Sequence, residues 1–157
     1  RDCPWNHRIQ PVHSSFQRYY QNHHTTFDRI ISNPPWFHNS LLSPDSRRNQ
    51  ARHSHNLPYA DLLKGTRKLL AEHGLFCIIL PASEEEFFTD MAAGRHLHCS
   101  RKMYIYPNRK KQAGRILMEF SFNPQKLKSE ALVIEEDQRH RYTNEYVALT
   151  KDFYLHF

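Results

Sequence analysis

The segment Phe27–Trp36, with the sequence FDRIISNPPW, carries the clearest structural signal in the chain. The β-branched pair Ile30 and Ile31 predicts a short buried strand that ends at Ser32. Two successive prolines follow shortly after, and because proline lacks a backbone N–H group it cannot continue a sheet ladder. The polar and aromatic corner so formed lies just past the carboxyl end of a strand, where open α/β sheets bind ligands. Its residues are Asn33, Pro34, Pro35 and Trp36.

The composition indicates one folded domain in a chain of 157 residues. Hydrophobic residues make up 39% and aromatic residues 13%, which argues against disorder. No apolar run is long enough to span a bilayer, and the first residues lack the apolar stretch of a signal peptide. We therefore expect a cytoplasmic protein that does not bind membranes.

Cysteine and histidine spacing predicts neither disulfides nor a metal site. The three cysteines form no short pair. Twelve histidines are present, but no cysteine or carboxylate spacing completes a ligand set around them. We expect these histidines to lie mostly at the surface.

Positive charge is concentrated in two segments of a chain whose net charge is +6. Residues 1–60 carry seven arginines and three acidic residues, and residues 101–128 carry eight basic residues and one acidic residue. A polyanion is the simplest partner for such clusters, although ordinary solvated charge explains single members equally well. The candidate RNA-binding residues are Arg47, Arg48, Arg52, Arg109, Lys110 and Lys111.

The remaining patterns predict an α/β order of elements. In the first part of the chain the predicted elements are a strand over Arg8–His13, a short helical turn within Gln17–Thr26 and a functional loop over 37–58. A helix over Tyr59–His73 closed by Gly74, a strand over Leu75–Leu80 and a helix capped by Ser83 and running to about Gly94 are predicted next. The last predicted elements are a hairpin of Leu97–Tyr106 and Arg115–Phe122, a short strand over 131–135, and a helix over Asn144–Tyr154 capped by Thr143. Together they predict parallel central strands with an antiparallel edge hairpin.

The corner and its surroundings resemble a known family. Asn33 to Trp36 is similar to the motif (Asn/Asp/Ser)-Pro-Pro-(Tyr/Phe/Trp) of S-adenosylmethionine-dependent methyltransferases that modify amino nitrogens. The same motif also serves release-factor glutamine and guanine-N2 methyltransferases. The segments Phe37–Leu41, Ser43–Asp45 and Arg48–His53, with Thr143–Tyr146 near the end, resemble the bacterial valine-tRNA adenine-N6 methyltransferases in particular. This similarity covers nearly the whole chain.

The resemblance implies a Rossmann-like class I methyltransferase sheet and S-adenosylmethionine as cofactor. In such enzymes a Gly-rich turn holds the methionine end of the cofactor, but only four glycines occur here and none form G-x-G. We therefore expect residues 1–157 to be a single partial domain, the carboxyl-terminal two thirds of such an enzyme, which alone is incomplete for cofactor binding. Ser15 and Phe16 would lie near the cofactor adenine, together with Asn33. The acidic residue often used there is missing.

The resemblance also implies a substrate and a chemistry. The Asn33 side chain and the Pro34 carbonyl would accept hydrogen bonds from an adenine amine in tRNA, while Trp36 stacks on a flipped base. We expect a monomer acting on adenosine 37 of valine tRNA. Two alternatives remain open, a non-catalytic RNA-binding remnant of the fold and a protein-glutamine N5-methyltransferase.

Overall fold

A computed structural model of the chain describes residues 6–34 and 58–154. Helices and strands alternate through these ranges before a hairpin and a final strand and helix. In chain order the elements are α1 (Phe16–Asn22), β1 (Phe27–Ser32), α2 (Tyr59–Leu69), β2 (Leu70–Pro81), α3 (Glu85–Ala93), β3 (His98–Asn108), β4 (Arg115–Ser121), β5 (Lys128–Glu135) and α4 (Asn144–Thr150). Short 3-10 turns occupy Asn6–Arg8 and Ala82–Glu84.

The five strands form one mixed sheet in the order β1-β2-β4-β3-β5. β1 and β2 are parallel, with Ser32 opposite Ile78. β4 is antiparallel to both β2 and β3, which confirms the predicted hairpin. Its predicted place at the edge of the sheet is wrong, because β4 is the central strand and β5 lies outside β3. β5 then continues the sheet parallel to β3. The α/β fold class expected from the sequence is confirmed.

One face of this sheet carries the core. Alternate residues of β2 and β4 are buried on it, and α2 and α3 pack over them. Phe88 of α3 packs against both strands, with its ring centroid 6.4 Å from that of Phe76 and 5.7 Å from that of Phe120. Burial of aromatic and aliphatic side chains on this face holds the helices against the sheet and so fixes where their first turns lie.

The strand pairings bring several chain segments to one edge of the sheet, here called the carboxyl edge. β1 and β2 both end there, and β3 and β5 end there as well, because Asn108 pairs with Glu135. β4 begins at this edge, since Arg115 pairs with Pro81. Asn33 and Pro34, which follow β1, and the basic hairpin turn therefore lie on the same side of the molecule.

The predicted strand over Arg8–His13 is wrong. A 3-10 turn covers Asn6–Arg8, and the residues after it have no regular structure. Ile9 and Val12 are more than half exposed. An extended segment becomes a strand only where a neighbour accepts its backbone hydrogen bonds, and no described strand lies beside this one.

The predicted end of α2 is also wrong, because the helix stops at Leu69 and β2 begins at once. Leu70 pairs with Phe27, and the ladder between β1 and β2 resumes only at Arg29 and Leu75. Gly74 therefore lies in a bulge and does not close a helix. Its position is crowded, because an added Cβ would lie 2.8 Å from Leu70 Cδ1. Sheet pairing has overridden local helix propensity here.

Two further helix boundaries differ. Ser83 lies inside the 3-10 turn, and α3 starts after Glu84 without a side-chain cap, so the predicted capping role is wrong. α4 is capped by Thr143 as predicted, whose hydroxyl accepts a hydrogen bond from the Tyr146 N–H group at 3.2 Å. The helix ends at Thr150, four residues earlier than predicted.

Candidate active site at the carboxyl edge

Asn33 follows β1 directly and is exposed, whereas Pro34 is buried. The strand covers Phe27–Ser32 as predicted. Its predicted burial is wrong, because Ile31 is 81% exposed and Ile30 is only partly buried. A buried proline with no N–H group anchors the chain at this point, and the preceding amide side chain faces solvent. The described structure thus presents a polar group with two hydrogen-bonding atoms at the end of a strand. Pro35 and Trp36 lie outside the described residues.

α1 places Ser15 and Phe16 at the same edge. Gln17 Nε2 donates to Asp61 Oδ2 in the first turn of α2 at 3.3 Å, and Lys68 Nζ in its last turn donates to the Gln21 carbonyl at 2.9 Å. The two helices therefore run side by side in the same direction. α2 ends where β2 begins, so its start lies toward the carboxyl edge. The start of α1 therefore lies there too.

Ser15 and Phe16 are only partly free for a ligand. The Ser15 hydroxyl caps α1 by accepting from the Arg18 N–H group at 3.3 Å, which leaves its own O–H available as a donor. The Phe16 ring is half-buried and lies in edge contact with Tyr20, with centroids 5.5 Å apart. A hydroxyl donor and an aromatic ring fit a purine. No carboxylate occurs in residues 6–27 to hold a ribose or an exocyclic amine.

The basic hairpin turn also reaches the carboxyl edge. Arg109, Lys110 and Lys111 are all exposed and follow the last residue of β3. Lys110 Nζ lies 3.4 Å from Asp137 Oδ1 in the turn after β5. The structure thus brings the predicted basic turn to the edge that carries Asn33. The other predicted basic residues, Arg47, Arg48 and Arg52, lie outside the described residues.

A charged cluster at the start of α3 was not predicted. Glu85 Oε1 accepts from Lys102 Nζ and Glu85 Oε2 accepts from the Tyr104 hydroxyl, both at 2.7 Å. Burial alone would raise the pKa of Glu85, but the hydrogen bonds from Lys102 and Tyr104 outweigh it and lower that pKa. The hydrogen bond to Glu85, followed by burial, raises the pKa of Tyr104 to about 12. This cluster fixes the first turn of α3 beside the carboxyl edge.

Neither the Gln17–Asp61 contact nor the Glu85–Lys102 contact is indicated by a local sequence pattern. Gln17 and Asp61 are 44 residues apart, and Glu85 and Lys102 are 17 apart. Pairs at such distances follow from strand order and helix direction, which a local pattern does not encode.

Among residues 6–34 and 58–154, no three His, Cys, Asp or Glu side chains are grouped closely enough to hold a metal ion. No helix in this part of the chain is long and apolar enough to cross a membrane.

Three known proteins that are similar to this chain carry the same name. A relative in Bacteroides fragilis is 41% identical over 97% of the chain, and one in Parabacteroides distasonis is 40% identical over 97%. A third, in Flavobacterium psychrophilum, is 34% identical over 98%. All three are named tRNA1(Val) (adenine(37)-N6)-methyltransferase. The chain is similar to these three proteins over nearly its whole length. That confirms the resemblance predicted from the corner and its neighbouring segments.

The chain spans 64% of the length of the Bacteroides and Parabacteroides members of this family and 65% of the Flavobacterium member. No protein-family model matches it.

Solved structures share the fold at low sequence identity. A predicted O-methyltransferase from Agrobacterium tumefaciens is 16% identical, with a TM-score of 0.60 over 80% of this chain and 51% of that chain. The M protein of the type I restriction enzyme EcoKI is 12% identical, with a TM-score of 0.50 over 86% of this chain and 32% of that one. The Rossmann-like class I methyltransferase fold expected from the sequence is thereby confirmed.

Proposed function

We propose that residues 1–157 form part of a single S-adenosylmethionine-dependent methyltransferase domain that methylates the N6 nitrogen of adenine in tRNA, with adenosine 37 of valine tRNA as target. The names of the homologous proteins support this substrate and position. The observation that carries the proposal is the place of Asn33, an exposed amide directly after β1 at the carboxyl edge of a methyltransferase sheet.

Asn33 and Pro34 would act by holding the amine. The N6 lone pair of adenine is delocalised into the ring, so this nitrogen is a poor nucleophile until acceptors hold its two hydrogens. The Asn33 side-chain oxygen and the Pro34 backbone oxygen accept them, which favours a more tetrahedral nitrogen. Holding the amine in line with the methyl group supplies most of the catalysis. Trp36 stacks on the base after it has rotated out of its own stack.

S-adenosylmethionine supplies the methyl group when it is bound. From this chain, Ser15 would donate a hydrogen bond to its adenine, and Phe16 and Asn33 would help to hold it. The position of α1 supports this assignment, since its start lies at the same edge as Asn33.

The RNA backbone would contact the basic residues near this edge. Arg109, Lys110 and Lys111 support this part of the proposal because they are exposed at the edge that carries Asn33. Arg47, Arg48 and Arg52 follow the corner in sequence and are proposed to contribute in the same way.

Analysis of the modified nucleoside tests the proposal. The protein at its full native length is incubated with methyl-labelled S-adenosylmethionine and unmodified tRNA, which is then digested to nucleosides. Label is expected in N6-methyladenosine derived from position 37 of valine tRNA. Label in another nucleoside, or in glutamine of a protein, would contradict the substrate. Binding of tRNA without any transfer would favour a non-catalytic RNA-binding protein.

A further inference from the structure

Two turns lie side by side at the carboxyl edge. β3 and β5 run parallel to their ends, so the hairpin turn after Asn108 and the turn after Glu135 leave the sheet together. Lys110 Nζ in the first turn lies 3.4 Å from Asp137 Oδ1 in the second. We call the surface made by residues 109–111 and 136–141 the paired-turn surface.

The second of these turns has a defined shape. The Arg141 N–H group donates to the Gln138 carbonyl at 3.2 Å, which makes Arg139 and His140 the central residues of a four-residue turn. His140 has a positive φ of 67°. Its N–H group donates to Glu135 Oε1 at 3.1 Å, which ties the turn to the end of β5. Arg139 is therefore presented at the tip of a well-braced turn.

The carboxylates near this surface are already engaged. Glu135 accepts from the His140 backbone, and Glu136 Oε2 lies 3.0 Å from Arg141 Nε. Asp137 is the partner of Lys110. Three exposed cations remain for which the described residues offer no carboxylate partner. They are Arg109, Lys111 and Arg139.

We propose that the paired-turn surface binds phosphates of the RNA backbone, and that Arg139 joins Arg109 and Lys111 as a contacting residue, while Lys110 mainly links the two turns through Asp137. The inference rests on the proposed function, since that function supplies the RNA. Because the nearby carboxylates already have other partners, these three cations can bind phosphate. A guanidinium group can contact two phosphate oxygens at once. Arg139 lies outside both basic segments noted in the sequence, because three acids precede it in the chain.

Strand spacing indicates which part of the RNA is contacted. β3 and β5 are the third and fourth neighbours of β1 in the sheet. At about 4.8 Å per strand, the paired-turn surface lies about 14–19 Å from the corner at Asn33. The phosphates bound there then belong to nucleotides a few positions from the target adenine. Loss of these contacts should raise KM and leave kcat unchanged.

The test is the salt dependence of tRNA binding by the full-length protein, measured without cofactor. The variant Lys111→Gln/Arg139→Gln removes two proposed contacts. The control Arg67→Gln/Lys126→Gln makes the same change in charge at exposed positions on the opposite edge, at the end of α2 and before β5. Dissociation constants are compared between 50 and 200 mM salt, conditions over which a phosphate contact has a measurable effect.

For the paired-turn variant we expect the slope of log K against log salt to become shallower by about 1.4–1.8, at about 0.7–0.9 for each lost phosphate contact. The control should keep the wild-type slope. An unchanged slope in the paired-turn variant, or an equal change in the control, would overturn the inference, as would a wild-type protein that does not bind tRNA. A shallower slope without N6-methyladenosine formation would uphold the surface and reject the proposed methylation.

Discussion

Glu85 shows how single side chains hold the start of α3 beside the candidate site. Its carboxylate is only 22% exposed and is held by Lys102, which is 14% exposed, and by the Tyr104 hydroxyl. Removal of a partner from such a cluster leaves a largely buried group without its hydrogen bond. The cost of that loss exceeds the net gain of a typical hydrogen bond.

Glu85→Gln should therefore lower the free energy of unfolding by about 2 kcal/mol at neutral pH. Because the folded-state pKa of Glu85 is lowered from its ordinary value of 4.5, its stabilising contribution is present above that value and is lost as pH falls through the folded-state pKa. Urea unfolding at pH 7 and at pH 3 should show that the wild-type advantage over the variant shrinks in acid. Glu86→Gln, an exposed neighbour in the same turn, is the control and should change little. Equal stability of wild type and Glu85→Gln at pH 7 would contradict this role.

Thr66 offers a second test at the scale of one residue. Its hydroxyl is buried in α2 and has no hydrogen-bond partner among the described residues. Replacement by valine keeps the shape and removes an unsatisfied polar group, so Thr66→Val should stabilise the fold by about 1 kcal/mol. Thr66→Ser keeps the hydroxyl, loses a buried methyl group and should destabilise by about 1 kcal/mol. Urea midpoints measure both, and a destabilised valine variant would show that the hydroxyl has a partner.

At the scale of elements, the contact between α1 and α2 positions Ser15 and Phe16. Gly65 lies where the helices touch, and an added Cβ would meet the rings of Phe16 and of Tyr20, the latter at 2.5 Å. Only a residue without a side chain allows this approach. Close packing therefore accounts for a glycine in the middle of α2 in spite of its poor helix propensity.

Gly65→Ala should separate the two helices and destabilise the protein by about 1–3 kcal/mol, the usual cost of overpacking, although alanine is the better helix former. Gly94→Ala is the matched control. It lies at the end of α3 with its nearest neighbour 3.6 Å from an added Cβ, and it should be neutral or slightly stabilising. Thermal or urea unfolding of both variants distinguishes the effect of crowding around the added Cβ from the effect of helix propensity. A stabilised Gly65→Ala variant would show that the rings move aside without cost.

The strands and helices also differ in how well a local sequence pattern predicts them. The alternating apolar pattern of β4 and the apolar run of β2 predict strands wherever neighbours exist, and both are present. Arg8–His13 carries a similar signal but has no described strand beside it. Gly74 was interpreted as a helix end because sequence does not show that Leu70 pairs with Phe27 and produces a bulge. Local pattern predicts the type of element, whereas pairing decides its limits.

At the scale of the whole molecule, strand order gathers distant segments at one edge. The corner at Asn33 and the hairpin turn at Arg109 were each predicted separately from sequence. Their common location follows only from the parallel pairing of β1 with β2 and the antiparallel return of β4. The turn around Arg139 is not predicted from sequence because the acidic residues before it offset its positive charge. The ion pairs show which cations have no carboxylate partner among the described residues.

The proposed role of Asn33 is to hold the amine during methyl transfer. Its most direct test is single-turnover methylation of tRNA by the full-length protein carrying Asn33→Ala, with tRNA binding measured in parallel. Asn123→Ala serves as control, since Asn123 is exposed beyond the end of β4 at the opposite edge. We predict that Asn33→Ala slows formation of N6-methyladenosine at least about a hundredfold, comparable to loss of one preorganised hydrogen bond in other active sites, while tRNA affinity stays near wild type. A methylation rate equal to that of the Asn123→Ala control would contradict the claim.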